Sequence, residues 1–189
     1  MKAVARIVAE LAGGRTALRV LKGEAPLLPR RTGPEEVHLV GGAAGPLGGD
    51  DLSLEIEVGP GARLWLRTVA ASIALPGRDG AESRLAVHAT VGEGGFLAFL
   101  PEPIVAAARC RHHNASVVEV AAGARLLWRE EAVFGRHGEP PATCGCRRRF
   151  AETPGLGTAV TSPSAPRTPT ARRSCTARAC WQRWSQQRT

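Results

Sequence analysis

The chain has 189 residues, with 25 Lys and Arg against 17 Asp and Glu and a formal charge of +8 at pH 7. Divided at residue 142, the excess leaves the first part: residues 1–142 carry 16 basic and 16 acidic side chains, and residues 143–189 carry nine arginines against Glu152 alone. A neutral body excludes the broad basic surface by which a folded domain grips nucleic acid, and no run approaches the roughly 18 apolar residues of a membrane-spanning helix.

Met1–Leu11 interleaves Lys2, Arg6 and Glu10 with Val4, Ile7 and Val8, without the apolar centre of an export signal. A cytoplasmic location with reduced thiols is the expectation. Residues 2–11 read as a strand, Gly13-Gly14 as a turn and Thr16–Leu21 as its partner strand. Pro26 and Pro29 bracket Leu27-Leu28, and Glu36–Val40 is a brief strand. Residues Gly41 to Asp50 then hold five glycines and a proline, a turn that needs close backbone approach and positive φ. This loop lacks the Gly-Lys-Ser/Thr ending of a phosphate-binding loop and precedes a strand instead of a helix, so nucleotide binding is not expected.

Leu52, Leu54, Ile56 and Val58 alternate with polar residues, the period of a strand with one dry face. Gly59-Pro60-Gly61 leads into a second strand, Arg63–Thr68, and the pair reads as the start of a β-meander. Ser83–Val91 alternates in the same way, and Phe96–Leu100 is apolar throughout before Pro101-Glu102-Pro103. Ile104–Ala108 reads as one helical turn, and Ser116–Val120 and Arg125–Trp128 as strands. Three segments resemble one another: Val58–Leu64, Val91–Leu97 and Val120–Leu126, at offsets of 33 and 29 residues. A strand–Gly turn–strand unit recurring at that spacing suggests stacked hairpins or β-solenoid-like layered sheets. The competing reading is that hairpin turns simply look alike. The fold class is therefore mainly β.

Beyond Glu139-Pro140-Pro141 the composition changes. Residues 143–189 contain only Phe150, Leu156 and Val160 among Val, Ile, Leu, Phe and Met. Such a segment buries too little apolar area to offset its chain entropy. The expected organisation is a β domain over 1–142 and a disordered Arg/Pro/Thr/Cys-rich tail over 143–189.

The body resembles the urease accessory protein UreD (UreH) family over residues 4–142. The resemblance rests on Gly41-Gly42, Gly48-Gly49-Asp50 with the alternating strand after it, Pro60-Gly61-Ala62, Arg67–Ala71, Leu100–Ile104, and Phe134-Gly135-Arg136 with Glu139 beyond. It implies a non-catalytic, cytoplasmic scaffold of stacked strands that binds apo-urease and UreF. UreF in turn recruits the GTPase UreG, and nickel in transit passes through an internal channel. No tightly bound cofactor is implied. Members of this family are longer and continue with further strands. The tail mixture here, with no Tyr in the chain and only Lys2 and Lys22, is what GC-rich DNA read out of frame yields. A frameshift near residues 142–144 is the expectation.

Nickel passage calls for carboxylates, imidazoles and backbone carbonyls. Asp50, Glu102, Glu131 and Glu139 are the metal candidates, and Gly48, Gly49, Asp50, Thr68, Pro101, Glu102, Pro103 and Arg136 the partner or channel candidates. Each has a plainer reading. Asp50 can close a turn, Glu102 can be a surface acid, and Glu130, Glu131 and Glu139 can pair with Arg129 and Arg136. His112-His113 beside Cys110 suggests a metal site, yet neighbours on a strand face opposite ways. Cys144-Gly145-Cys146 and Cys175 with Cys180 lack zinc-site spacing. Ser72, Ser83 and Ser116 lie in no nucleophile elbow, so an enzyme is not expected. The alternatives are nucleic-acid binding through the tail, with Trp181 and Trp184 stacking on bases, and a truncated, aggregating product with exposed sheet edges.

Overall fold

The computed structural model describes residues 1–140 and 142–152. They form fourteen strands, with no helix among the described residues. In chain order these are β1 (Lys2–Ala12), β2 (Arg15–Gly23), β3 (Leu27–Arg31), β4 (Glu36–Gly41), β5 (Asp51–Val58), β6 (Arg63–Thr68) and β7 (Ser72–Ala74). They continue as β8 (Ser83–Val91), β9 (Phe96–Leu100), β10 (Ile104–Ala106), β11 (Arg111–Val120), β12 (Arg125–Trp128), β13 (Ala132–Phe134) and β14 (Thr143–Glu152).

From β5 onward the chain winds as a three-sided solenoid. Each rung places one strand in a long sheet (β14-β11-β8-β5-β1-β2), one in a middle sheet (β12-β9-β6-β4-β3) and one in a short sheet (β13-β10-β7). Successive rungs pair in parallel. Leu54 stands opposite Val87 and Val87 opposite Ser116, offsets of 33 and 29 that match the sequence repeat. The hairpins β1–β2 and β3–β4 start the stack: β1 lies parallel to β5, and β4 parallel to β6.

The expected layered, solenoid-like sheets are present. The recurring glycine turn, however, is a corner between two sheets. It closes no hairpin, and β5–β6 do not begin a meander. The turns stack: Gly61 N–H donates to Glu93 O at 2.9 Å and Gly92 N–H to Val58 O at 2.7 Å. A Cβ on Gly92 would lie 2.7 Å from Pro60 N, so only hydrogen fits there.

Inward residues of the long and middle sheets form ladders: Ile56–Ala89–Val118, Leu64–Leu97–Leu126 and Leu66–Phe99–Trp128. They meet in one buried core, where each large apolar side chain contributes roughly 1.5–3 kcal/mol. A second cluster fills the narrow end against the short sheet with small side chains, among them Ala74, Ala106, Cys110, Ala132 and Cys144.

Two further expectations are corrected. Ile104–Ala106 is a strand, held between β7 and β13, and makes no helical turn. Residues 143–152, expected to be disordered, form β14, which pairs with β11 along ten residues. Its backbone completes the ladder whatever its outward side chains are, while Cys144 is buried and the Phe150 ring packs 6.2 Å from Trp128. The boundary expected at 142 thus falls inside the sheet. The rest of the expected tail, 153–189, with Cys175, Cys180, Trp181 and Trp184, lies outside the described residues.

Candidate functional site

The candidate acids divide between two edges of the solenoid. Along the corner from the middle to the short sheet, successive rungs stack Thr68, Pro101–Pro103 and Glu131. Thr68 Oγ1 accepts the Glu102 N–H at 2.8 Å and donates to Ala70 O at 3.1 Å. Pro101 O accepts from Arg129 Nη2 at 3.4 Å, and Pro103 O accepts the Ser72 N–H at 3.2 Å. The Glu131 carbonyl accepts the Ile104 N–H at 2.9 Å. The Glu102 side chain is exposed and that of Glu131 half-buried.

Asp50 and Glu139 sit along the other corner, where the chain returns to the long sheet. Asp50 is buried; its Oδ2 accepts the Leu47 N–H at 2.8 Å, and its Oδ1 lies 2.6 Å from the Met1 amine. It closes the glycine turn, in which Gly48 N–H donates to Leu75 O and Gly49 N–H to Glu82 O. Glu139 accepts the backbone N–H groups of Ala108 at 3.0 Å and Arg136 at 3.1 Å, and pairs with the Arg136 guanidinium through Nε at 2.8 Å and through Nη2. The Arg136 hydrogen bond, with help from those two amides, holds the Glu139 carboxyl at a pKa of about 2. Burial, and then the Glu139 charge, pushes the Cys110 thiol up.

Between these edges lies a polar lining that residue-type reasoning only partly anticipated. At β11 the interior ladders change character. Leu52–Leu85 continues as Asn114, Leu54–Val87 continues as Ser116, and His112 sits against Ser83. Glu130, from the corner after β12, is 5% exposed and accepts from Ser116 Oγ at 3.0 Å and Asn114 Nδ2 at 3.2 Å. His112 is 3% exposed, with Nδ1 2.9 Å from Ser83 Oγ. Burial, reinforced by neighbouring His113, lowers its pKa to about 4 and keeps the imidazole neutral. His112 Nε2 and Asn114 Oδ1 are buried without a hydrogen-bond partner among the described residues. A legible signal existed: polar residues standing in phase with apolar ones at the repeat offsets.

His112 points inward and His113 outward from β11, so the pair does not converge on one ion, as strand geometry requires. Among the described residues no group of three or more His, Cys, Asp and Glu is placed to hold a metal. Ser83 and His112 are juxtaposed as a nucleophile and base would be. Ser83 is fully buried, however, and an imidazole with a pKa near 4 is a weak base at neutral pH. No helix among the described residues is long and apolar enough to cross a membrane.

Comparison with known proteins gives the family. Residues 1–151 match the family described as UreD urease accessory protein. The urease accessory protein UreD of Parafrankia sp. is 50% identical over 145 residues, which cover 74% of this chain and 49% of that protein. That of Frankia alni is 58% identical over 104 residues, 55% of this chain and 35% of that protein. That of Streptomyces avermitilis is 46% identical over 146 residues, 75% of this chain and 58% of that protein. The chain spans about half the length of the curated relatives it matches. The match runs nine residues past 142, in step with β14, so the related segment does not end at the point expected for a frameshift. By its match over residues 1–151, the chain belongs to the UreD urease accessory protein family.

Proposed function

We propose that this chain is a non-catalytic scaffold in urease maturation, acting in the cytoplasm. It docks on apo-urease and on UreF, which recruits the GTPase UreG, and it assists the passage of nickel to the urease active site. The observation that carries this reading is the family match over residues 1–151, with relatives that are named as accessory proteins. The interior lining supports the transit step. Glu130, Ser116, Asn114 and neutral His112 present a carboxylate, a hydroxyl, an amide oxygen and an imidazole in one rung, donor types that a borderline cation accepts. Nickel is cargo here, and no resident cofactor is required.

Co-expression of the tagged chain with the urease subunits and UreF tests the reading. Urease and UreF are expected to co-elute with the chain after a high-salt wash. Elution of the chain alone, or only as an aggregate, would favour the truncated-product alternative.

A further inference from the structure

An open cleft of about 810 Å³ lies between the β1–β2 turn, the β3–β4 loop and the outer face of β6. Its walls include Arg15, Arg31, Glu35, Glu36, Trp65 and Arg67. Both carboxylates are already matched, Glu35 by Arg63 at 3.2 Å and Glu36 by Arg67 at 3.3 Å. Arg15 and Arg31 are exposed and have no carboxylate partner among the described residues; Arg31 Nε donates only to Gly33 O. The cleft therefore carries two uncompensated guanidinium groups in a chain body whose total charge is zero.

The outer face of the middle sheet extends this site. Arg63, Phe96 and Arg125 stand in one register row, and the two guanidinium groups lie 5.2 and 5.6 Å from the Phe96 ring. Trp65 meets Phe96 edge-on at 5.3 Å, and Leu127 is 39% exposed beside them. Arg125 also lacks a carboxylate partner among the described residues. Stacking on the ring holds the Arg63 and Arg125 forks in place, so less freedom is lost when they bind a carboxylate. From β3 to β12 the face spans five strands, about 19 Å at the usual strand spacing, the reach of roughly six extended residues.

We propose that this cleft and ladder bind an extended acidic segment of a protein partner. Its carboxylates meet Arg15, Arg31 and Arg125, and an apolar side chain between them rests on Trp65 and Leu127. Arginine forks take carboxylates in bidentate fashion. Glu35 and Glu36, each matched by an arginine, leave the free positive charge as separate guanidinium groups, without the unbroken basic track that a phosphodiester backbone follows. That favours polypeptide over nucleic acid. The inference deepens the maturation reading and rests on it only for which protein supplies the segment.

The probe is an acetylated twelve-residue peptide with six glutamates around a central Leu-Leu and one benzophenone side chain, added to the full chain. Photo-adducts are expected within 13–16, 31–36 and 63–67. Peptide affinity is expected to fall at least tenfold in Arg15→Glu/Arg31→Glu, and less in the neutralising Arg15→Gln/Arg31→Gln. Arg111→Glu on the opposite sheet is expected to leave it unchanged. Circular dichroism checks that each variant folds, and the neutralising pair decides if the reversed pair does not. Adducts confined to 153–189, unchanged affinity in the folded variants, or displacement of the peptide by an equimolar dT12 oligonucleotide would overturn the proposal. None of these readouts involves urease. A chain that binds the peptide at the cleft yet fails to co-elute with urease and UreF overturns the maturation reading alone.

Discussion

The Ser116 hydroxyl donates to Glu130 Oε1 at 3.0 Å inside the solenoid, in the ladder position that Leu54 and Val87 fill on the two preceding rungs. A buried carboxylate there is tolerable only because donors converge on it. Ser116→Val restores the apolar ladder but removes one donor from Glu130. The expected cost is about 1–3 kcal/mol, read as a lower urea midpoint at unchanged slope. Adding Glu130→Gln, which removes the charge that needed the donor, is expected to recover part of that loss.

His112 gives the structure a pH dependence in the mildly acidic range. Its folded pKa is about 4 against an ordinary value of 6.5, so between those limits the unfolded chain binds the extra proton. Stability from this group is complete above pH 6.5 and is lost as the pH falls toward 4, by roughly 3 kcal/mol at the lower end at 1.36 kcal/mol per pKa unit. Thermal unfolding at pH 7 and pH 5 checks this. The drop in midpoint is expected to shrink in His112→Gln, even if that variant is less stable overall.

Glu139 acts in a lower window. Its carboxyl is held near 2 against an ordinary 4.5, first by the Arg136 hydrogen bond and then by the amides of Ala108 and Arg136. A depressed acid stabilises the fold above its unfolded value, and that contribution is lost as the pH drops from 4.5 toward 2. Glu139→Gln is therefore expected to unfold at a lower temperature than the parent at pH 6. The gap between the two is expected to narrow steadily from pH 4.5 toward pH 2 in differential scanning calorimetry.

Gly48 and Gly41 separate close backbone approach from mere loop composition. A Cβ on Gly48 would lie 2.3 Å from Gly77 N and 2.5 Å from Ala81 O, both main-chain atoms, whereas nothing lies within 4 Å of one on Gly41. Gly48→Ala is expected to cost on the order of 1–3 kcal/mol by overpacking the corner. Gly41→Ala is expected to stay within about 0.5 kcal/mol. Urea denaturation of the pair distinguishes them.

Strands with a full alternating run were legible in the residues. Leu52–Val58 and Ser83–Val91 show one dry face, and the offsets of 33 and 29 between the three turns that follow Val58, Val91 and Val120 are the rung lengths of the solenoid. The path of the turns was not legible. A glycine turn joins two strands equally well within one sheet or across a corner, and only the parallel pairing of successive rungs decides between them. The three-residue strands β7 and β13 escape periodicity altogether, and their apolar residues Ile73 and Val133 point outward. β14 was hidden because an edge strand is held chiefly by its backbone ladder, so Cys144 and Phe150 are a faint apolar signal. Of the site, the type of Glu130 and His112 was legible. The contacts of Glu130 with Ser116 and Asn114, and of His112 with Ser83, were not, because they follow from the register of β11 against β8 and from the corner after Trp128.

The most direct measurement is the nickel content of urease purified from a host lacking any UreD relative, with UreF and UreG supplied, in the presence and absence of this chain. A rise in nickel per active site when the chain is present, reversed by Ser116→Val/Glu130→Leu in a folded, co-eluting variant, is the expected result. Nickel content equal to that without the chain, from urease that nevertheless co-elutes with it, would contradict a role in metal delivery.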